Sequence, residues 1–315
     1  MKFYGVSVLA VLAFLVAIVL LGDRSARRYQ GMDCHHNVIW GDDSPLGLVT
    51  IGGSRILVAS VVRDIEVVLD EKGIDHLPAA NIAHSYYSIE KEYVLLRDLL
   101  DHRPVKTALV MIEPRGNSFG RLSSDFLTVA KLSDLPKAWQ AAGHEAPIAV
   151  FTDLWTSVKA HMKSWNIAVG PAAKSASHDC APPDYRLDVV ALADAERKFE
   201  KKAGQFLKWN LKSKEEQAVL SWAKASKNLA DSHGTELFFI LMTGTGEFLP
   251  DPRLATMFKE QTGANLIVFD PELHQKLSIS GRRDGNHLNG EGRAVFLPWL
   301  IDQIAVQCKN PEGCF

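Results

Sequence analysis

Near the carboxyl end, the segment SGRRDGNHLNGEGRAVF (280–296) sets Asp284 and His287 three residues apart in a Gly-rich stretch, just before a helical pattern. A carboxylate and an imidazole so spaced can be turn chemistry, metal ligands, or two members of a catalytic triad. As triad members, the aspartate would orient the imidazole and stabilise its cation, and one short loop would fix both partners. The nucleophile must then come from elsewhere. Ser54 is the candidate: in LGLVTIGGSR it follows an apolar run and two glycines, at the turn into a helix. A serine hydroxyl is a poor nucleophile until a positioned base takes its proton, which is the role open to His287. Gly52 and Gly53 permit a tight approach that bulkier residues would block. Backbone N–H groups near the helix start aim at developing negative charge. Each block alone is weak, because Gly-Gly-Ser can merely cap a helix and Asp-Gly is ordinary in turns. Their joint occurrence, after the first strand and before the last helix, favours the triad.

The elements that must position these residues read as alternating strands and helices. Residues 47–51 are a short apolar run of buried-strand type, stopped by Gly52 and Gly53. From Arg55 the apolar residues take helical spacing up to Gly73. Residues 76–83 form a candidate second strand, 88–103 an amphipathic helix ended by Pro104, and 105–113 a third strand. Residues 236–244 and 265–271 supply the fourth and fifth strands, with a helix at 252–262 between them. A last helix spans 290–307, with Pro298 expected to kink it. Near-continuous apolar strands alternating with helices predict an α/β domain with a mostly parallel five-stranded sheet covered on both faces. In such sheets the working residues gather beyond the carboxyl ends of the strands, where Ser54, residues 81–85, residues 114–118 and the Asp284–His287 loop all fall. Residues 114–234 read as a helical insertion, including a long charged helical stretch from about residue 187 to 231.

With 315 residues the chain can bury a large core. A net charge of −2, with Lys and Arg spread along the chain, excludes the concentrated basic surface of a nucleic-acid binder. Residues 4–21 form an uncharged, overwhelmingly apolar run, just long enough to cross a bilayer. It reads as an uncleaved signal anchor (1–22) in preference to a cleaved signal peptide, since Leu20 and Leu21 crowd the cleavage position. Charges flank both ends, so charge bias alone does not orient it. Residues 23–45 read as a polar juxtamembrane linker, leaving 46–315 as the α/β domain. In an oxidising compartment Cys308 and Cys314 would close a short terminal loop, leaving Cys34 and Cys180 as a second pair; in a reducing one the four are free thiols. An anchor with its amino end inside and the bulk of the chain outside the cytoplasm fits these features best.

The two blocks carry a resemblance. IGGSR with Ser54, and Asp284-x-x-His287 followed by LNGEGRAVF, resemble the serine and Asp/His blocks of the SGNH (GDSL-like) hydrolase superfamily, in particular its membrane-anchored branch acting on envelope polysaccharides. The resemblance covers roughly residues 46–307, with the long insertion as a departure. It implies a flavodoxin-like three-layer sandwich and a serine-dependent O-acyltransferase or acylesterase on a cell-envelope glycan, without cofactor or metal. It also implies a site in the periplasm or outside the cell, beside a multi-pass membrane acyltransferase that delivers the acyl group. Gly53 belongs to the serine block. The family's second block offers a glycine N–H to the oxyanion; here the loop NIAHSYYS has none, and the backbone of Ala83 or His84, supported by Asn81, is the substitute. The third block's asparagine maps nearest to Asn117 in EPRGNS, with Arg115 beside it. These two weak blocks motivate a second reading, a non-catalytic polysaccharide-binding or assembly component with a degenerate fold of this type. Elsewhere, adjacent Cys34, His35 and His36 have poor spacing for zinc, and GTGEF (244–248) lacks the lysine of a phosphate loop.

Overall fold

A computed structural model describes residues 33–84, 88–113, 124–131, 134–141, 180, 206–207, 211–244, 249–251, 253–279, 281–309 and 313–315. The anchor, the first part of the linker and most of the insertion lie outside the described residues. No helix among the described residues is long and apolar enough to cross a membrane.

The chain opens with helix α1 (Asp33–Trp40) and strand β1 (Leu46–Ile51), followed by helices α2 (Ser54–Ala59) and α3 (Val62–Glu71). Strand β2 (Ala80–Asn81), helix α4 (Ile89–Leu100) and strand β3 (Val105–Ile112) come next, then α5 (Ser124–Val129) and α6 (Leu135–Ala141). Strand β4 (Phe206–Leu207), helix α7 (Lys214–Ser232) and strand β5 (Glu236–Leu241) lead to β6 (Leu249–Pro250), α8 (Leu254–Thr262) and β7 (Asn265–Val268). Helices α9 (Pro271–Ile279) and α10 (Gly290–Gln307) end the succession.

The sheet has five strands in the order β2-β1-β3-β5-β7, every neighbouring pair parallel. All of β1 is buried, as expected of a strand covered on both faces. Helices pack in two sets: α4 with α1, α5 and α7, and α7 with α8; and α10 with α2, α3 and α9. The chain crosses from β1 to β2 through α2 and α3 and returns past β1 to β3 through α4, and the general right-handed rule for parallel crossovers puts these two connections on opposite faces. The carboxyl ends of β1 and β3 flank the point where the chain reverses direction across the sheet, the position where α/β sheets open a crevice.

Several elements depart from the sequence reading, each for a local reason. The helix expected from Arg55 to Gly73 is two helices. Ser60 interrupts it: Asn81 Nδ2 donates to the carbonyls of Leu57 (2.9 Å) and Ser60 (3.0 Å), which a continuous helix would use internally. The apolar spacing continues through this break and so conceals it. The continuous helical stretch expected from 187 to 231 is also incorrect. Phe206–Leu207 is a short strand parallel to Leu249–Pro250, and α7 begins at a capping box in which Ser213 and Glu216 satisfy each other's backbone N–H groups. Helix α9 was not expected. Asp270 Oδ1 accepts the N–H of Leu273 at 2.7 Å and Pro271 occupies the first turn, a start signal hidden behind the strand's apolar run. The last helix runs unbroken through Pro298.

The linker also ends earlier than its composition implied. In α1, Val38 and Ile39 are fully buried, and the buried guanidinium of Arg103 donates to the carbonyls of Val38 (2.8 Å) and Ser44 (2.7 Å). Residues 33–45 therefore belong to the folded body. The structure pairs Cys34 with Cys180 and Cys308 with Cys314. The first bridge spans a sequence separation of 146 residues, so it removes much freedom from the unfolded chain. Cys34→Ser with Cys180→Ser is expected to lower unfolding free energy by about 3–5 kcal/mol. A denaturant midpoint unmoved by this pair of substitutions would show that the bridge does not constrain the fold.

Candidate active site

The serine block is built by close packing. Gly52 has φ +154°, and a Cβ there would lie 2.6 Å from Met111 Cβ and 2.7 Å from Ile56 Cγ2. Only glycine lets β1 turn this sharply against β3 and enter α2. Gly53 is the N-cap of α2 and has no side chain to satisfy the first-turn N–H groups. Ser54 is the first residue of that helix.

The Asp284–His287 block is the tip of a small hairpin. Arg282 and Leu288 form an antiparallel bridge, Arg283 N donates to His287 O at 2.9 Å, and Asn289 N donates to Gly281 O at 3.0 Å. Asn289 also caps α10 by accepting from Gly292 N at 2.8 Å. At the tip, Asp284 Oδ1 accepts the N–H groups of Asn286 (2.7 Å) and His287 (2.9 Å). The tight loop is therefore closed on the same carboxylate that faces the imidazole.

These two blocks, distant in sequence, meet. His287 Nδ1 lies 2.8 Å from Asp284 Oδ2, and His287 Nε2 lies 2.9 Å from Ser54 Oγ. A carboxylate only accepts, so Nδ1 carries the proton and Nε2 presents its lone pair to the serine hydroxyl. Ser54 Oγ–H donates to Nε2. The side chains of His287 and Asp284 are 21% and 40% exposed, which leaves the pair reachable from solvent. Burial pushes the Asp284 carboxyl up, but hydrogen bonds from the His287 side chain and from the N–H groups of Asn286 and His287 outweigh it and hold the carboxyl below its usual range. A carboxyl depressed by folding stabilises the fold above its unfolded pKa, and that contribution is lost as pH falls through the folded value. The loop is thus firmest above the ordinary carboxylate range and loosens in acid below it.

The second block needs a correction. The backbone N–H groups of Ala83 and His84, expected to serve an oxyanion, are both already occupied. Ala83 N donates to Asn81 Oδ1 at 3.1 Å and His84 N donates to Gly52 O at 2.8 Å. Asn81 does support this loop, as expected, but by consuming one of the donors. The whole 81–84 segment is pinned: Ile82 N to Thr50 O (3.0 Å), Cys180 N to Asn81 O (3.1 Å) and His35 Nε2 to Ala83 O (3.0 Å). Burial, then the charge of Lys91, lowers His35 to about 4 despite its backbone hydrogen bonds, so it donates as a neutral ring. His84 is buried and likewise held neutral, by burial first and then by Lys91 and His35. The Cys34–Cys180 bridge thus brings one residue of the insertion against the strand end beside Gly52. Arg115 and Asn117 lie outside the described residues. No cluster of three or more His, Cys, Asp or Glu side chains suited to a metal occurs among the described residues.

Three further residues reach this site without having been anticipated. Arg55 donates to Met242 O (2.7 Å) and Asn286 Oδ1 (3.2 Å), and the buried Arg282 donates to Thr243 O and Asn286 O. Their only trace in the sequence is adjacency to Ser54 and Asp284. Comparison with known proteins returns no matching family model and no matching curated sequence.

Proposed function

We propose that the chain is a serine-dependent acyltransferase or acylesterase with a flavodoxin-like three-layer fold of SGNH hydrolase type. The observation that carries this reading is the continuous hydrogen-bond chain Ser54 Oγ–His287 Nε2 and His287 Nδ1–Asp284 Oδ2 at the carboxyl end of the sheet. Ser54 Oγ attacks an ester carbonyl while its proton passes to His287 Nε2, and Asp284 stabilises the resulting imidazolium. The tetrahedral oxyanion is met by the N–H of Ser54, which has no intrahelical acceptor at the first position of α2. Its collapse breaks the ester C–O bond, and the leaving alkoxide takes the proton from Nε2. Water or a sugar hydroxyl then gives its proton to His287 and attacks the acyl-serine, which releases Ser54.

The substrate class follows from the resemblance of the two blocks: acyl groups on a cell-envelope glycan. The two disulfides support an oxidising compartment, and the apolar run at residues 4–21 supports a single-pass anchor in the inner membrane. An anchored domain of this kind works beside a multi-pass membrane acyltransferase, and transfer to a sugar is favoured over hydrolysis. Short incubation of the full-length protein with p-nitrophenyl acetate, followed by acid quench and peptide mass spectrometry, tests the chemistry. Acetyl on Ser54, discharged faster when an unacylated glycan is added, supports transfer; discharge unchanged by any glycan supports an esterase. Acetyl confined to other side chains overturns the reading in favour of a non-catalytic glycan-binding component.

A further inference from the structure

Asp284 fixes His287 within one loop, but Ser54 stands on a helix 233 residues earlier in the chain. A single Oγ–Nε2 hydrogen bond is a weak constraint on two separate elements. It also cannot set the distance in the acyl-enzyme, where Oγ has lost its proton. Some other contact must hold the loop against the serine's helix.

Arg55 is placed to do so. It follows the nucleophile directly, so its backbone moves with Ser54. One guanidinium nitrogen donates to Met242 O beyond β5 at 2.7 Å, and the other donates to Asn286 Oδ1 at 3.2 Å. Asn286 sits between the two catalytic candidates, and its polar groups are held on three sides. Its N–H donates to Asp284 Oδ1, its carbonyl accepts from Arg282, and its side-chain oxygen accepts from Arg55. Arg282 in turn reaches Thr243 O, the carbonyl next to the one that Arg55 uses. Two guanidiniums therefore hold one asparagine between the end of β5 and the helix of the nucleophile.

We propose that Arg55 is a positioning residue: through Asn286 it fixes the Asp284–His287 loop at the distance from Ser54 that proton transfer requires. This rests on the triad reading above. A planar fork that bridges two acceptors is not replaced by the point charge of lysine, so Arg55→Lys is expected to behave much like Arg55→Ala. A small displacement of a catalytic group lowers rate steeply, and either variant should react about tenfold more slowly with a fluorophosphonate. For p-nitrophenyl acetate the loss should fall on kcat with KM nearly unchanged, the mark of an interaction that matters in the transition state. Asn286→Ala should give a similar loss, and the double variant no more than either single one, because both break the same link.

Amide exchange in residues 281–289 of the full-length protein gives a readout that needs no activity. Exchange there should quicken in Arg55→Ala relative to wild type and to Ser54→Ala. Multiplying losses in the double variant, full recovery in Arg55→Lys, or exchange unchanged by Arg55→Ala would each overturn the clamp. If the wild type fails to react with the probe, the triad reading falls, and the exchange result alone decides whether Arg55 holds this loop.

Discussion

His287→Ala is expected to slow acylation of Ser54 by about a million-fold, and Ser54→Ala to abolish it, because nucleophile and base act as one unit. Among the described residues, His287 is the side chain hydrogen-bonded to Ser54 Oγ. Its Nε2 lies 2.9 Å from Ser54 Oγ, where the proposed base must be, and its Nδ1 is tied to Asp284. Asp284→Asn should retain the loop, since an amide oxygen can still accept from the N–H groups of Asn286 and His287. It removes the negative charge that holds Nδ1–H and stabilises the imidazolium, so a loss of about ten-thousand-fold is expected. Rates with a p-nitrophenyl ester, measured beside unfolding midpoints, separate lost chemistry from lost structure. An Asp284→Asn variant within about tenfold of wild type would show that the carboxylate only closes the turn.

Gly52→Ala is expected to destabilise the fold by about 3 kcal/mol or more. The new carbon would overlap Met111 Cβ and Ile56 Cγ2, both carried by fully or almost fully buried residues. Met111 Cβ is fixed to β3, so relief requires moving a strand or the serine's helix. The φ of +154° adds backbone strain for any side chain. Gly73→Ala is the control. It has φ +65° but nothing within 4 Å of the added carbon, so it should show the conformational cost alone, about 1 kcal/mol. Equal denaturant midpoints for the two variants would contradict the account of how β1 is turned into the site.

What was legible in the sequence was local. Ser54 follows a buried strand and two glycines, and Asp284 and His287 share one short loop, so residue type and spacing sufficed to nominate them. The strands of the sheet announced themselves as apolar runs between turn residues. Contacts between distant segments were not legible. Asn81 breaks a helix two dozen residues away with its amide and takes the Ala83 N–H with its oxygen, and neither act leaves a periodic signal. For the same reason the oxyanion assignment failed at Ala83 and His84: whether an N–H is available depends on Gly52 O, Asn81 Oδ1 and the sheet register. Arg55 and Asn286 are ordinary residues beside a motif, and their link appears only once β5 brings Met242 to the same corner.

The most direct test is fluorophosphonate treatment of the folded, disulfide-bonded full-length chain, with the adduct located by peptide mass spectrometry. A single adduct on Ser54, absent from Ser54→Ala and lost from His287→Ala, is the predicted result. A folded wild type that takes no adduct, or one that labels equally well without His287, would contradict an activated serine at this site.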